Sequence, residues 1–154
     1  MKKQNNKTKK VEEEKMKIKI KKLHSDAIIP KYAHDGDAGM DLFSIEDLIL
    51  KPKHRAIVRT GLSIEFPKGY VALMWDKSGI AKEGVTTLAG VGDAGYRGEY
   101  KIVLYNLSSK KYEIKKGQKI AQILIQKVES PEIEEVDELS ETSRGTGGFG
   151  STGK

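Results

Sequence analysis

The sequence predicts an all-β protein, a sandwich or barrel of short strands, and three observations carry that reading. Where apolar residues recur regularly they do so with a period of two, as in MKIKIKKL from Met16 to Leu23. Turn-forming residues then punctuate the chain at short intervals, and no long amphipathic helical pattern interrupts them. With 154 residues there is enough chain for one domain with a sizeable core, not two, and no internal repeat is visible.

In order, the first strand is expected from Met16, its lysines facing water and its isoleucines facing the core. Further strands are expected near 40–43, 47–50, 54–60, 62–66, 70–75, 85–88, 99–106, 112–114 and 119–128. Pro52, Pro67-Lys68-Gly69, Gly90, Asn106 to Ser109 and Lys116-Gly117 separate them, each a residue type that sets or tolerates a turn dihedral. One helical turn is expected to start at Ser78, with the serine as its cap and free N–H groups pointing outward. Residues 129–143 are acidic and poor in apolar side chains, and read as a linker.

The net charge of +6 is not spread evenly. Residues 1–22 hold ten lysines against three glutamates, a net +7, which leaves 18 basic and 19 acidic groups in the rest, a net −1. Residues 1–15 have no apolar periodicity and are expected to be a disordered, solvated arm, with weak nucleic-acid or polyphosphate contact as the alternative. No apolar core follows these lysines, so a signal peptide is not expected, and no stretch reaches the ~20 apolar residues of a membrane span. The absence of cysteine excludes disulfides, thiolate nucleophiles and cysteine-based zinc sites, and the cytoplasm is the expected compartment. His24, His34 and His54 stand at no metal-ligand spacing and are expected to be loop or surface residues.

The last eleven residues, RGTGGFGSTGK from Arg144 to Lys154, carry the most chemistry. Ordering each backbone residue costs about 1–2 kcal/mol, and burying Phe149 returns only about 1.5–3 kcal/mol, so a ligand must order the segment. Arg144 offers a fork for phosphate, Phe149 a flat face for a ring, and Ser151 and Thr152 hydroxyl donors among glycines that let backbone N–H groups approach. A ring with phosphates is a nucleotide. Gly148 to Lys154 also spells the start of a P-loop, but that motif needs a following Ser/Thr and a helix, and the sequence stops at Lys154.

Four other segments break the strand pattern. DAGMDLFS sets Asp41 after a glycine turn. Asp76-Lys77-Ser78-Gly79 joins a cation, a hydroxyl and a helix start, a plausible phosphate cradle. AGVGDAGYRGEYKIVLYN holds Asp93 and Tyr96 between glycines on a hairpin. GQKIAQILI places Gln122 inside an apolar run, where it must be a satisfied core amide or a ligand contact.

In order, spacing and residue type, these five segments resemble the trimeric dUTP pyrophosphatases (dUTPases) from about residue 17 onward. The resemblance implies a jelly-roll-like β protomer and a homotrimer whose active sites are shared between subunits. It implies Mg²⁺-dependent hydrolysis of dUTP to dUMP and pyrophosphate, which keeps uracil out of DNA and supplies dUMP for thymidylate synthesis. By motif, Asp93 would orient and deprotonate the attacking water, and Tyr96 would pack beneath the deoxyribose and exclude a 2′-hydroxyl. Backbone groups from Thr87 through Val91 and Gly92 to Asp93 would pair with the uracil edge, and Lys101 would join the substrate contacts. Lys77, Ser78, Gly79 and Gln122 would meet phosphates, while Asp41 would hold water in the metal's outer shell. Arg144 would grip the γ-phosphate, Phe149 stack on uracil, and Gly150, Ser151 and Thr152 donate to the terminal phosphates.

Three residues depart from the family pattern. Lys77 and Lys119 stand where arginine is usual, which turns a forked contact into a point charge. Gly92 replaces a branched aliphatic residue before Asp93 and is expected to loosen the hairpin. The nearest alternative within the fold is a dCTP deaminase, alone or bifunctional, whose arginine-rich second motif is replaced here by SGIAK. The alternative of another class is a non-catalytic nucleotide-sensing or nucleic-acid-binding module.

Overall fold

Period-two patterning gives strands and little else across residues 16–149 and residue 151, which the computed structural model describes. The expected N-terminal arm, Gly150 and Thr152 lie outside those residues. The elements run β1 (Lys19–Lys22), β2 (Met40–Phe43), β3 (Leu48–Leu50), β4 (Arg55–Arg59), β5 (Leu62–Glu65) and β6 (Tyr70–Trp75). They continue as α1 (Ser78–Ala81), β7 (Val85–Thr87), β8 (Val91–Gly92), β9 (Lys101–Asn106), β10 (Tyr112–Ile114) and β11 (Lys119–Lys127). Every expected strand is present, most of them shortened by a residue or two at the ends. No helix of the described residues is long and apolar enough to cross a membrane.

All pairings are antiparallel. β1 joins β5, β10 joins β3, β4-β9-β7 form a three-stranded sheet, and β2-β11-β6-β8 form a four-stranded one. The lysine–isoleucine alternation of β1 works as its period demands: Ile20 lies opposite Ile64 and packs on the core, while Lys19 lies opposite Glu65 and pairs with it. In β9 the inward positions are Ile102, Leu104 and Asn106, all nearly free of solvent contact. They share a core with Leu42, Val58, Leu62, Ile64, Ile120 and Ile123. Each such aliphatic side chain contributes about 1.5–3 kcal/mol by leaving water. A bulge between Lys119 and Ala121 breaks the β11–β2 ladder, and Ile120 and Ala121 are consequently both buried instead of alternating. Gly61 turns β4 into β5 at a φ of 67°, and a Cβ there would lie 3.0 Å from both Ala27 and His24.

Asn106 is a polar residue in an apolar position, and its amide is fully engaged. Nδ2 donates to the carbonyls of Leu50 (3.1 Å) and Lys110 (2.7 Å), and Oδ1 accepts from Ser108 N (2.9 Å) and Oγ (2.7 Å). It therefore ties the end of β9 to β3 and to the turn before β10. We expect Asn106→Ala to lower unfolding stability by about 2–4 kcal/mol, because it strands buried carbonyls as well as losing bonds. Urea denaturation should show a lower midpoint with an unchanged slope.

Candidate active site

The four-stranded sheet decides which chemical segments meet. In β11, Gln122 lies opposite Asp41 of β2 on one side and Trp75 of β6 on the other. β6 runs directly into Asp76 to Gly79. On its far edge, Ala72 and Leu73 pair with Gly92 and Val91 of β8, and Asp93 follows at once. Neighbouring strands lie about 4.8 Å apart, so β11 and β8 stand roughly 10 Å apart across β6.

The first cluster forms around two carboxylates. Asp41 is 4% exposed and is held between two ammonium groups, Lys77 Nζ at 2.9 Å from Oδ1 and Lys119 Nζ at 2.6 Å from Oδ2. Oδ2 has no aligned hydrogen-bond donor, so the charge contact itself balances it. Burial alone would raise the Asp41 pKa, but the close charged contacts of Lys119 and Lys77 outweigh it and hold the pKa below the usual value. Lys77 and Lys119, the two departures from arginine, thus converge on one carboxylate. Asp76 likewise resists protonation: burial alone would raise its pKa, but hydrogen bonds from the Thr87 N–H and the hydroxyls of Thr86 and Thr87 outweigh burial and lower it. Those bonds measure 2.6, 2.7 and 2.8 Å for Thr87 N, Thr86 Oγ1 and Thr87 Oγ1. They tie the end of β6 to β7.

Gln122 is a half-buried amide whose Nε2 donates to the Asp76 carbonyl at 2.9 Å. Its Oε1 lies over Gly39, where a Cβ would come within 2.5 Å, so the glycine is needed for the amide to fit. The expected serine cap is not formed. The extended residue before α1 is Lys77 (φ −89°, ψ 121°), which makes it the cap and puts Ser78 inside the first turn with no side-chain cap bond. Ser78 and Gly79 are exposed, and their N–H groups belong to the unpaired start of the helix.

The second cluster is the hairpin. A turn closes between the Asp93 carbonyl and Tyr96 N at 3.0 Å, and Arg97 Nη1 secures it by donating to the carbonyls of Ala94 (2.7 Å) and Tyr96 (2.9 Å). Tyr96 Oη donates to the Glu99 carbonyl at 3.0 Å, and its ring stands edge-on to Tyr100 at 5.5 Å and 70°. The Glu99 carboxylate accepts from Arg59 Nε at 3.2 Å and Gly61 N at 2.9 Å, which anchors the hairpin's far side. A cleft of about 280 Å³ opens between Gly90, Val91, Asp93, Tyr96 and Lys101. Asp93 is exposed there, and Lys101 Nζ lies 4.0 Å from Glu99.

Gly92 does not loosen the hairpin. It is buried, and the Tyr100 ring fills the space a side chain would take. Thr87 bonds to Asp76 and pairs with Leu104 of β9, and it does not line the Asp93 cleft.

The arm stands apart from both. Residues 129–146 are exposed and form neither strand nor helix. Arg144 Nε donates to the Gly147 carbonyl at 2.9 Å, Ser151 N donates to the Gly148 carbonyl at 3.0 Å, and Phe149 is fully exposed with φ 49°. Asp76, Arg97, Glu99 and Tyr100 were not among the expected site residues. Their partners lie on other strands or inside the hairpin, where periodicity says nothing about who meets whom.

These features define an antiparallel β protein with a cleft sized for a small ring and sugar, and a lysine–carboxylate cluster across β6 from it. The sequence profile of the dUTPase family matches residues 25–153, and the chain belongs to that family. It is 54% identical over 140 residues to the deoxyuridine 5′-triphosphate nucleotidohydrolase of Clostridium tetani, across 89% of this chain and 97% of that protein. The protein of the same description from Nautilia profundicola is 51% identical over 142 residues, across 90% and 100%. Among solved structures, a Staphylococcus bacteriophage 80alpha dUTPase mutant with dUpNHpp superposes with a TM-score of 0.84 at 30% identity, covering 90% of this chain and 99% of that one. A mutant dUTPase of phage phi11 of S. aureus, described as revealing the coordination of a structural Mg(II) ion, gives 0.76 at 27%, covering 81% and 99%.

Asp76 generates a pH-dependent expectation. Its folded pKa lies below its unfolded value of about 3.9, so its contribution to stability is complete above that value and fades as pH falls through the lowered folded pKa. Thermal melts should therefore show Asp76→Asn clearly less stable than the parent at pH 6–7, with the gap shrinking below about pH 4. A gap that stays constant down to pH 2.5 would remove the ionised carboxylate as its cause.

Proposed function

We propose that the protein hydrolyses dUTP to dUMP and pyrophosphate in the presence of Mg²⁺, as a homotrimer whose active sites are shared between subunits. The single observation that carries the reading is the exposed Asp93 carboxylate beside the fixed Tyr96 ring in one cleft, in a chain of the dUTPase family. Removing dUTP keeps uracil out of DNA, and the product dUMP feeds thymidylate synthesis, in the cytoplasm. The cysteine-free composition accords with that compartment.

The chemistry asks little of covalent machinery. Asp93 takes a proton from a water molecule, whose oxygen bonds to the α-phosphorus as the bond to the pyrophosphate oxygen breaks. Tyr96 is oriented by its bond to the Glu99 carbonyl and its edge contact with Tyr100, which suits a shelf for deoxyribose that leaves no room for a 2′-hydroxyl. Val91, Gly92 and Asp93 line this cleft together with Lys101, and their backbone groups, with that of Thr87, would pair with the uracil edge. Lys77, Ser78 and Gly79 suit phosphates, since Lys77 is part-exposed and reaches Asp41 from the edge of α1. Gln122 acts through Asp76 as well as toward phosphate, because its Nε2 already holds that carbonyl.

The donor set fits a metal carried by the triphosphate and not one caged by protein. Among the described residues no group of three potential ligands could hold an ion. Asp41 is buried between two lysines, which suits acceptance from metal-bound water better than direct ligation. When bound, Mg²⁺ supplies charge neutralisation on the triphosphate. Within one chain the lysine–carboxylate cluster and the Asp93 cleft lie on opposite sides of β6, and the arm bonds only locally among the described residues. An arm from another subunit, bringing Arg144, Phe149 and the hydroxyl and N–H donors of Gly150 to Thr152, would complete the site.

Pyrophosphate release measured side by side with dUTP, UTP, dTTP and dCTP should show dUTP strongly preferred, and equal turnover of UTP would contradict the Tyr96 shelf. Asp93→Asn should bind dUTP normally and hydrolyse it at least ~10²-fold more slowly. For the arm, Phe149→Trp should change fluorescence on addition of a non-hydrolysable dUTP analogue beyond the change of the parent chain, which carries Trp75 alone, since base stacking is worth about 1–3 kcal/mol. An unchanged spectrum would speak against stacking.

A further inference from the structure

We infer that Tyr100 is a positioning residue for Asp93, its ring occupying the volume that a side chain at position 92 would take, so that Gly92 and Tyr100 act as one packing unit beneath the carboxylate. Gly92 is the last residue of β8 and directly precedes Asp93. A Cβ added there would sit 2.7 Å from Tyr100 Cε1, 2.9 Å from Oη and 3.1 Å from Cζ. Real Cβ atoms do not approach so closely, so either the ring or the strand would have to move.

The ring is held from the other side. Tyr100 is 3% exposed, its N–H donates to the Leu62 carbonyl at 2.8 Å, and its own carbonyl accepts the Thr60 hydroxyl. The edge of Tyr96 closes a third side. Tyr100 therefore works as a strut from the start of β5 to the underside of β8. Its hydroxyl is buried with no hydrogen-bond partner, and burial pushes its pKa up, so it stays neutral. What the residue supplies at this place is volume. A two-residue strand such as β8 has few ladder bonds of its own, and its position is set by what lies under it.

The inference rests on Asp93 as the base, and the test keeps the two apart. The full chain is compared as wild type, Asp93→Asn, Tyr100→Leu, Gly92→Ile and the double variant Gly92→Ile/Tyr100→Leu, each by melting temperature and steady-state pyrophosphate release from dUTP. Tyr100→Leu should lower kcat about tenfold or more with KM within about threefold, since small displacements of an aligned base cost rate before affinity. Gly92→Ile overfills the same space, while the double variant should recover kcat to within about threefold of wild type. A purely structural role would lower melting temperature and leave kcat per folded molecule unchanged. Wild-type kcat in Tyr100→Leu, or a double variant no better than Tyr100→Leu, would overturn the inference, and neither result depends on Gly92→Ile folding. If Asp93→Asn retains turnover, the assignment of the base fails instead.

Discussion

The register of β11 is the constraint on which the rest of the structure depends. Side chains alternate faces along a strand, so a slip of one residue would turn Gln122 away from both neighbours at once. In its observed register Gln122 lies between Asp41 and Trp75 and grips the Asp76 carbonyl. From that one placement follow the direction in which Lys77 leaves β6 and the seat of Gly39 against the amide. The bulge at Ile120 belongs to the same device, since it ends the regular ladder just where Lys119 must reach the buried carboxylate of β2.

Two half-hidden carboxylates then carry the electrostatics, and they do so differently. Asp76 is satisfied by neutral donors and works as a splice between β6 and β7. Asp41 is satisfied by two ammonium groups, each still partly open to solvent. Removing a single lysine would leave a buried negative charge half balanced, a costly state, whereas an incoming anion or cation can redistribute the three charges. Lysine at positions 77 and 119 gives singly pointing donors around Asp41, not the two-pronged fork of a guanidinium.

Much of the fold was legible because strands announce themselves by period two and turns by their residues. The β1 alternation, the β9 inward triplet and the short helix after Asp76 all stand where patterning places them. Boundaries and caps were less legible: Ser78 looks like a cap, but the extended backbone falls on Lys77, and only three-dimensional context decides that. The chemistry-bearing residues could be picked out, yet their company could not. Asp76 finds Thr86 and Thr87 ten and eleven residues on, and Glu99 finds Arg59 forty residues back. Gly92 was misjudged for the same reason. A glycine alone reads as slack, and its meaning appears only with the tyrosine that fills its place.

The ring of Tyr96 adds a consequence of another kind. It folds back over Gly98, where a Cβ would collide with the ring and its hydroxyl, and fastens to the carbonyl of Glu99. Gly98 therefore has no neutral neighbours in sequence space: any side chain evicts the aromatic ring that walls the cleft. What position 98 can hold is thereby tied to what stands at position 96: the wall of the cleft is a pair of residues, one present as a ring and the other as the space it occupies.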